Sequence, residues 1–261
     1  MGTMFMNSKG TIFLLALGFS LLALSGCGGD DSDDNGAETT EVGEADISVI
    51  VDKFYHTSTT VSVGEEFITI TSTNLPDNKS MYWPTSNSLY EAYDEPDNAD
   101  FKKNPNEIES QNIVYKVPRF PVKASSAQAT GFGPMGVAVN GVTFFNDQAA
   151  PGDDILDELN TFDQYEAHPE NSGTYHYHLE PTWLTQELGD EEFLGVLLDG
   201  FPVYGPKENG KVVTNDDLDD FHGHTHATAD FPDGIYHYHI TAEQPWINGG
   251  DYYGTVGTVT Q

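Results

Sequence analysis

Six of the nine histidines fall at matching places in two copies of one pattern. The first copy carries Tyr175-His176-Tyr177-His178 and the second Tyr236-His237-Tyr238-His239. In a strand, successive side chains point to opposite faces, so both tyrosines of a copy share one face and both histidines the other. Two imidazoles at i and i+2 can reach one ion, which makes His-x-His on a strand a two-ligand half-site. His168 precedes the first motif and His224 the second, and each supplies a third candidate ligand. Asp163 and Asp219 precede these histidines after four intervening residues. They are expected to accept the ring N–H of a ligating histidine and fix its tautomer. His222 and His226 flank His224 and are candidate auxiliary ligands.

Ligand softness narrows the ion. Once a leader is removed the chain keeps only Met81 and Met135 as thioethers, and its one cysteine, Cys27, is expected to be acylated. That argues against Cu(I), whereas neutral imidazoles suit zinc, Cu(II), iron or nickel. Zinc or copper is the expected cofactor. Two arrangements are open. The two strands could share one ion among His176, His178, His237 and His239. Alternatively, each copy could close its own site with His168 or His224. The recurrence of Asp and His in register favours separate sites. The longer segment between His224 and His237 makes the second site the expected functional one.

These histidines must be held by strands, and the repeat extends to those strands. Gly136-Val137-Ala138-Val139-Asn140-Gly141 is echoed by Gly195-Val196-Leu197-Leu198-Asp199-Gly200 at an offset of 59. Asp163 and His168 recur at an offset of 56, and the Tyr-His-Tyr-His strands at 61. Two copies suggest paired β units with pseudo-twofold symmetry. Asn-Gly and Asp-Gly between apolar runs signal hairpins with primed turns, and that role accounts for Asp199 better than acid catalysis does. Upstream, Ile47–Val51, Thr60–Val63, Phe67–Thr71 and Ile113–Val117 are short, β-branched strand candidates. Residues 77–110 read as a long loop packed by aromatics. The convincing helix candidate is short, residues 151–159, with early acids suiting its N-terminus. The fold class expected is mainly β: one sandwich or barrel-like domain with an internal pseudo-twofold duplication, long loops and short helices only.

The N-terminal stretch is of a different kind. Lys9 precedes the apolar run Ile12–Leu24, followed by Leu24-Ser25-Gly26-Cys27. A run of thirteen residues suits a secretory h-region rather than a membrane span, and the small residues before the cysteine resemble a bacterial lipobox. Residues 1–26 are then a lipoprotein signal peptide and Cys27 the acylated first residue. Residues 27–45 read as an acidic disordered tether. Residues 46–130 form the N-terminal β-rich part and 131–261 the duplicated region. The expected location is the bacterial cell envelope, lipid-anchored at the outer membrane or cell surface. The charge, 10 − 42 = −32, excludes a nucleic-acid partner, since polyphosphate attraction needs Lys and Arg. Nothing points to a protein partner.

The doubled Tyr-His-Tyr-His, with Asp199-Gly200-Phe201-Pro202-Val203-Tyr204-Gly205-Pro206 and Gly223-His224-Thr225-His226, resembles the YHYH domain family of secreted bacterial proteins. The resemblance covers roughly residues 130–245 and implies an extracytoplasmic, β-rich domain, with no settled activity. It also implies cysteines near the Asp-to-His segment and near the C-terminal end. Here those neighbourhoods read Asp220-Phe221-His222 and Asp251-Tyr252-Tyr253-Gly254, so packing or metal must do the work of a cross-link. The chain has no nucleophile elbow, His-Glu-x-x-His helix or phosphate loop, which favours a metal-binding or ligand-binding surface protein. The alternatives are a metal-dependent envelope hydrolase and a ligand-binding or adhesion module whose histidines are structural.

Overall fold

The computed structural model describes residues 45–150 and 153–261. The expected signal peptide, Cys27 and all but the last residue of the expected tether lie outside the described residues. The described residues form one β-rich domain of several open sheets, with no closed barrel. No helix among them is long and apolar enough to cross a membrane.

The duplication is written into an eight-stranded sheet. Its strands run in the order Gly223–His226, Ile235–His239, Pro202–Tyr204, Phe193–Leu197, Gly136–Ala138, Thr143–Phe144, Tyr175–Tyr177, Ala167–Pro169. The second copy forms one half and the first copy the other. At the centre, Gly136 pairs with Leu197, Val137 with Val196, and Ala138 with Gly195, antiparallel. Val137 therefore faces its own repeat equivalent, and the pairs on either side exchange roles, as a local twofold axis requires. Pairing further out matches copy for copy: Val137 with Thr143 as Val196 with Pro202, and His168 with His176 as His224 with His237. A Cβ on Gly136 would lie 2.6 Å from Val196 O, and one on Gly195 2.4 Å from Val137 O. The axis thus admits only glycine at these two equivalent places.

A four-stranded sheet of Thr59–Val63, Phe67–Ser72, Ile113–Pro118 and Thr258–Thr260 receives the two hairpin tips. Ser58 Oγ donates to Asn140 O at 3.0 Å and Ser72 Oγ to Gly141 O at 2.6 Å. Gly257 N donates to Leu198 O at 2.8 Å on the other copy. The tips are not primed turns. Gly141 and Gly200 have φ of +85° and +86°, while Asn140 and Asp199 are absent from the residues with positive φ. Gly141 N bonds Ala138 O, and Gly200 N bonds Leu197 O, so each loop is one residue longer and only its glycine is left-handed. This geometry leaves the Asn140 and Asp199 side chains free to turn inward, where both are fully buried.

Ile47–Val51, expected as a strand, lies in a 3₁₀ helix over Ile47–Lys53. Asp46 caps it by accepting Ser48 N at 2.9 Å and is itself held by Arg119. Three residues make one turn of such a helix, which puts Ile47 and Ile50 on one side, both buried. Residues 73–112 contain no named strand, and Tyr82 and Trp83 are buried within them. The expected helix is present as Ile155–Glu158, capped by Asp154 and continued as a 3₁₀ turn over Leu159–Thr161. A second helix, Thr182–Leu188, links the copies and carries no strong sequence signal.

Candidate metal centres

The alternation separates the two faces as the residue order dictates. On the tyrosine face, Tyr175 donates to Asp163 at 2.8 Å and its counterpart Tyr236 to Asp219 at 2.8 Å. Tyr177 accepts from Asn140 at 3.2 Å, and its counterpart Tyr238 donates to Asp199 at 2.6 Å. Asp163 and Asp219 therefore hold tyrosine hydroxyls, contrary to their expected role against the imidazoles. They sit on the tyrosine side of the sheet, so the alternation that gathers the histidines also removes the aspartates from them. Burial pushes Asp163 up to about 6, against hydrogen bonds from Ser80, Tyr165 and Tyr175. Asp199 rises to about 6 for the same reason.

On the other face, the histidines gather into two separate clusters, one per copy. In the first, His168 Nε2 lies 3.1 Å from His176 Nε2, which lies 3.0 Å from His178 Nε2. In the second, the ligating atoms of His224, His237, His239 and Glu208 all lie within 4.8 Å of one another. The four-histidine shared arrangement is not what the sheet builds, because four strands lie between the two Tyr-His-Tyr-His strands.

The Nδ1 atoms settle what the Nε2 atoms can do. His176 Nδ1 donates to Thr174 O at 2.9 Å, and His237 Nδ1 to Ile235 O at 3.0 Å. His178 Nδ1 donates to Asn146 O at 2.5 Å, and His239 Nδ1 to Gly205 O at 2.8 Å. Each carbonyl is the repeat equivalent of the other. His168 Nδ1 meets Thr161 Oγ1 at 2.5 Å; that hydroxyl gives its proton to Glu158 O at 2.8 Å and so accepts from the ring. His224 has a backbone hydrogen bond at Asp217, the position matching Thr161. With Nδ1 protonated, each neutral ring presents a bare lone pair at Nε2. Backbone carbonyls, and at His168 the Thr161 hydroxyl, thus take the orienting role expected of the aspartates.

Burial keeps the rings neutral. It lowers His168 to about 3, helped by His178, and His178 to about 4. His176 is held well below its usual range by burial and by both neighbours. His237 falls to about 3 through burial and His239, and burial lowers His224 and His239 as well. In the second copy the Nε2 atoms of His224, His237 and His239 are buried without a hydrogen-bond partner. Three convergent lone pairs repel one another and are shut off from bulk solvent, a cost that a cation removes. Nitrogen atoms about 3 Å apart fit ligand bonds of about 2.0–2.1 Å to one ion. Buried groups of this kind could hold a metal ion.

Two carboxylates that no repeat offset reveals complete the picture. Glu158 Oε2 lies 3.6 Å from both His168 Nε2 and His178 Nε2. Glu208 Oε1 lies 3.6 Å from His224 Nε2 and 3.7 Å from His237 Nε2. Burial raises Glu158. Burial also pushes Glu208 up, but the His226 hydrogen bond and nearby imidazoles outweigh it, and the carboxyl ends below its usual range. His226, expected as an auxiliary ligand, stands behind Glu208 with its Nδ1 3.0 Å from Oε2. His222, the other, turns away: its Nε2 meets Thr241 Oγ1 at 3.0 Å. Its φ of +75° matches Glu166 at +61°, its repeat equivalent in the Asp-to-His turn, and this left-handed corner aims both side chains elsewhere.

The first cluster opens into a cleft of about 690 Å³, whose walls include all three of its histidines. The second borders a smaller one of about 410 Å³, reached by His237 and His239. Where the resemblance implied cysteines, Phe221 packs edge-on against Tyr253, with ring centres 5.6 Å apart, and Tyr253 stacks on Tyr236 at 3.5 Å.

A family described as YHYH protein matches residues 114–212 and 207–250, both copies and the pairing strands between them. The chain belongs to the YHYH family. No curated protein and no solved structure matches it. Within the YHYH fold seen here, the motif's name describes two faces: tyrosines anchored to acids and an amide, and histidines aimed at a common point.

Proposed function

We propose that this YHYH protein is a lipid-anchored metal-binding protein of the bacterial cell envelope that holds two transition-metal ions, zinc or Cu(II), in three-histidine centres, one per copy. The observation that carries the reading is the set of three buried, unpartnered Nε2 atoms of His224, His237 and His239, matched by the converging Nε2 atoms of His168, His176 and His178. The donor set is borderline-soft nitrogen with a nearby carboxylate, which suits these ions and disfavours calcium. The lipobox-like segment before Cys27 and the acidic stretch after it support the location.

The test is a metal count on protein purified without a histidine tag, loaded with zinc or Cu(II) and desalted. Two ions per chain are expected, one in His237→Ala/His239→Ala, and one in His176→Ala/His178→Ala. A count of zero in the loaded intact protein overturns the metal reading, and one ion falling to zero in the first double variant overturns the separate centres. For the location, Cys27→Ser should move the protein from the membrane fraction to the soluble one, and retention in the membrane speaks against the anchor.

A further inference from the structure

The two clusters differ in how many donors meet, and the difference follows from where each glutamate is held. In the second copy the four donor atoms form one set within 4.8 Å, and the corresponding set in the first copy contains the three histidines alone. Glu208 is steered into its set from behind by His226, 3.0 and 3.2 Å from the two carboxylate oxygens. Glu158 stands beside two of its three histidines, where the Ala150 backbone N–H holds its carboxyl and no other side chain among the described residues hydrogen-bonds to it. It borders the larger cleft, as do His168, His176 and His178.

We propose that the first centre keeps an exchangeable coordination position facing this cleft, at which a neutral, hydroxyl- or amine-bearing polar ligand binds, whereas Glu208 closes the second centre as its fourth ligand. This rests on the metal reading above. A closed set of four protein ligands is the mark of a structural site, and three ligands with an open position that of a reactive one. The ligand class follows from the cleft wall. No Lys or Arg lines it, Asp153, Glu158 and Glu170 do, and the carboxamides of Asn104, Asn106 and Gln148 offer neutral hydrogen bonds. Phe132, 63% exposed, stands on the same wall as an apolar face. Apart from the ion itself, the wall offers an anion only like charge, which disfavours phosphate esters and carboxylates relative to neutral ligands. A ligand donor on the ion would sit beside Glu158, which accepts a hydrogen bond from its O–H or N–H.

The experiment loads the full chain with Co(II), whose visible bands report its coordination, and titrates it with imidazole at pH 8 and separately with acetate. Imidazole should perturb one of the two ions and acetate should bind more weakly. The response should persist in His237→Ala/His239→Ala and vanish in His176→Ala/His178→Ala. Glu208→Ala, which leaves every histidine in place, should make the second ion respond as well. A response from both ions in the unaltered protein, from the second alone, or from neither overturns the proposal, as does an unchanged response in Glu208→Ala. Tighter binding of acetate than imidazole overturns the ligand class. Failure to retain Co(II) at all is a failure of the metal reading itself, and the metal count separates the two.

Discussion

The first and second copies agree wherever the backbone supplies the partner and diverge wherever a loop does. Carbonyls at equivalent positions, Thr174 and Ile235, Asn146 and Gly205, orient equivalent imidazoles at nearly equal distances. The tyrosines keep their partners, with one exchange, Asn140 for Asp199. The carboxylates share nothing: Glu158 comes from a helical turn before His168, Glu208 from the short strand Lys207–Glu208 before His224. A duplicated sheet fixes ring direction twice over, because register dictates it. Reactivity is left to connections that vary independently.

The largest effect that sharpens this comparison is acid unfolding of the metal-free protein. Seven histidines have folded values below the usual 6.5. A depressed imidazole stabilises the folded state above about pH 6.5, and that contribution is lost as pH falls, because the unfolded chain takes up the proton first. Four carboxyls, Glu158, Asp163, Glu166 and Asp199, are raised and act in the opposite sense, penalising the fold as pH rises. The first copy sets three histidines against three such acids, the second four against one. Stability should therefore fall from about pH 6.5 toward 4, and the second copy should open first. Hydrogen exchange along this range checks it, and earlier loss of protection in the first copy would reverse the reading.

Metal removal comes next. An ion bound only by the folded state at 1,000 times its dissociation constant adds about 4 kcal/mol. Chelation should lower the melting temperature, and each double-histidine variant should show a smaller drop than the intact protein. An unmoved melting temperature, with metal loss verified, breaks the comparison at its root. Glu208→Gln should weaken the second centre by about 10- to 100-fold, and Glu158→Gln should weaken the first by less, read by competition with a chromogenic chelator. On the tyrosine face, Tyr238→Phe removes a bond to a buried carboxyl and should cost about 1.5–3 kcal/mol, whereas Tyr177→Phe removes a bond to an amide and should cost about 1. Equal costs by urea unfolding would mean that Asp199 is neutral in the fold. The smallest effect is expected of His226→Ala, a loss below about 1 kcal/mol at an exposed pair, read as slightly weaker metal binding in the second centre alone.

Much of this was legible in the residues. The offsets match each strand of the central sheet to its counterpart in the other copy, and period-two alternation alone puts His176 with His178 and His237 with His239. The roles of Asp163 and Asp219 were not legible, since spacing shows that an acid recurs but not which face it serves. Glu158 and Glu208 stayed hidden because they have no repeat equivalents, and only the folded connections bring them in. Ile47–Val51 reads as a strand from its β-branched residues, and the 3₁₀ helix is visible only once Asp46 and Arg119 meet across the fold. Asn-Gly and Asp-Gly marked the hairpins rightly but not their loop length, which is set by the tyrosines that claim the Asn140 and Asp199 side chains.

The pairing of Val137 with Val196 has a consequence for assembly. A strand that meets its own image across a twofold axis is what a homodimer forms when identical edges join. A single copy would expose Gly136–Ala138 as a bare edge, with a glycine where a second copy's backbone must approach. The natural mate for that edge is another molecule of the same kind, aligned in the same register. The present chain has the layout of such a pair with its two halves covalently joined, residues 179–192 forming the bridge. A joined pair need not keep its halves identical, so one can differ without spoiling the other.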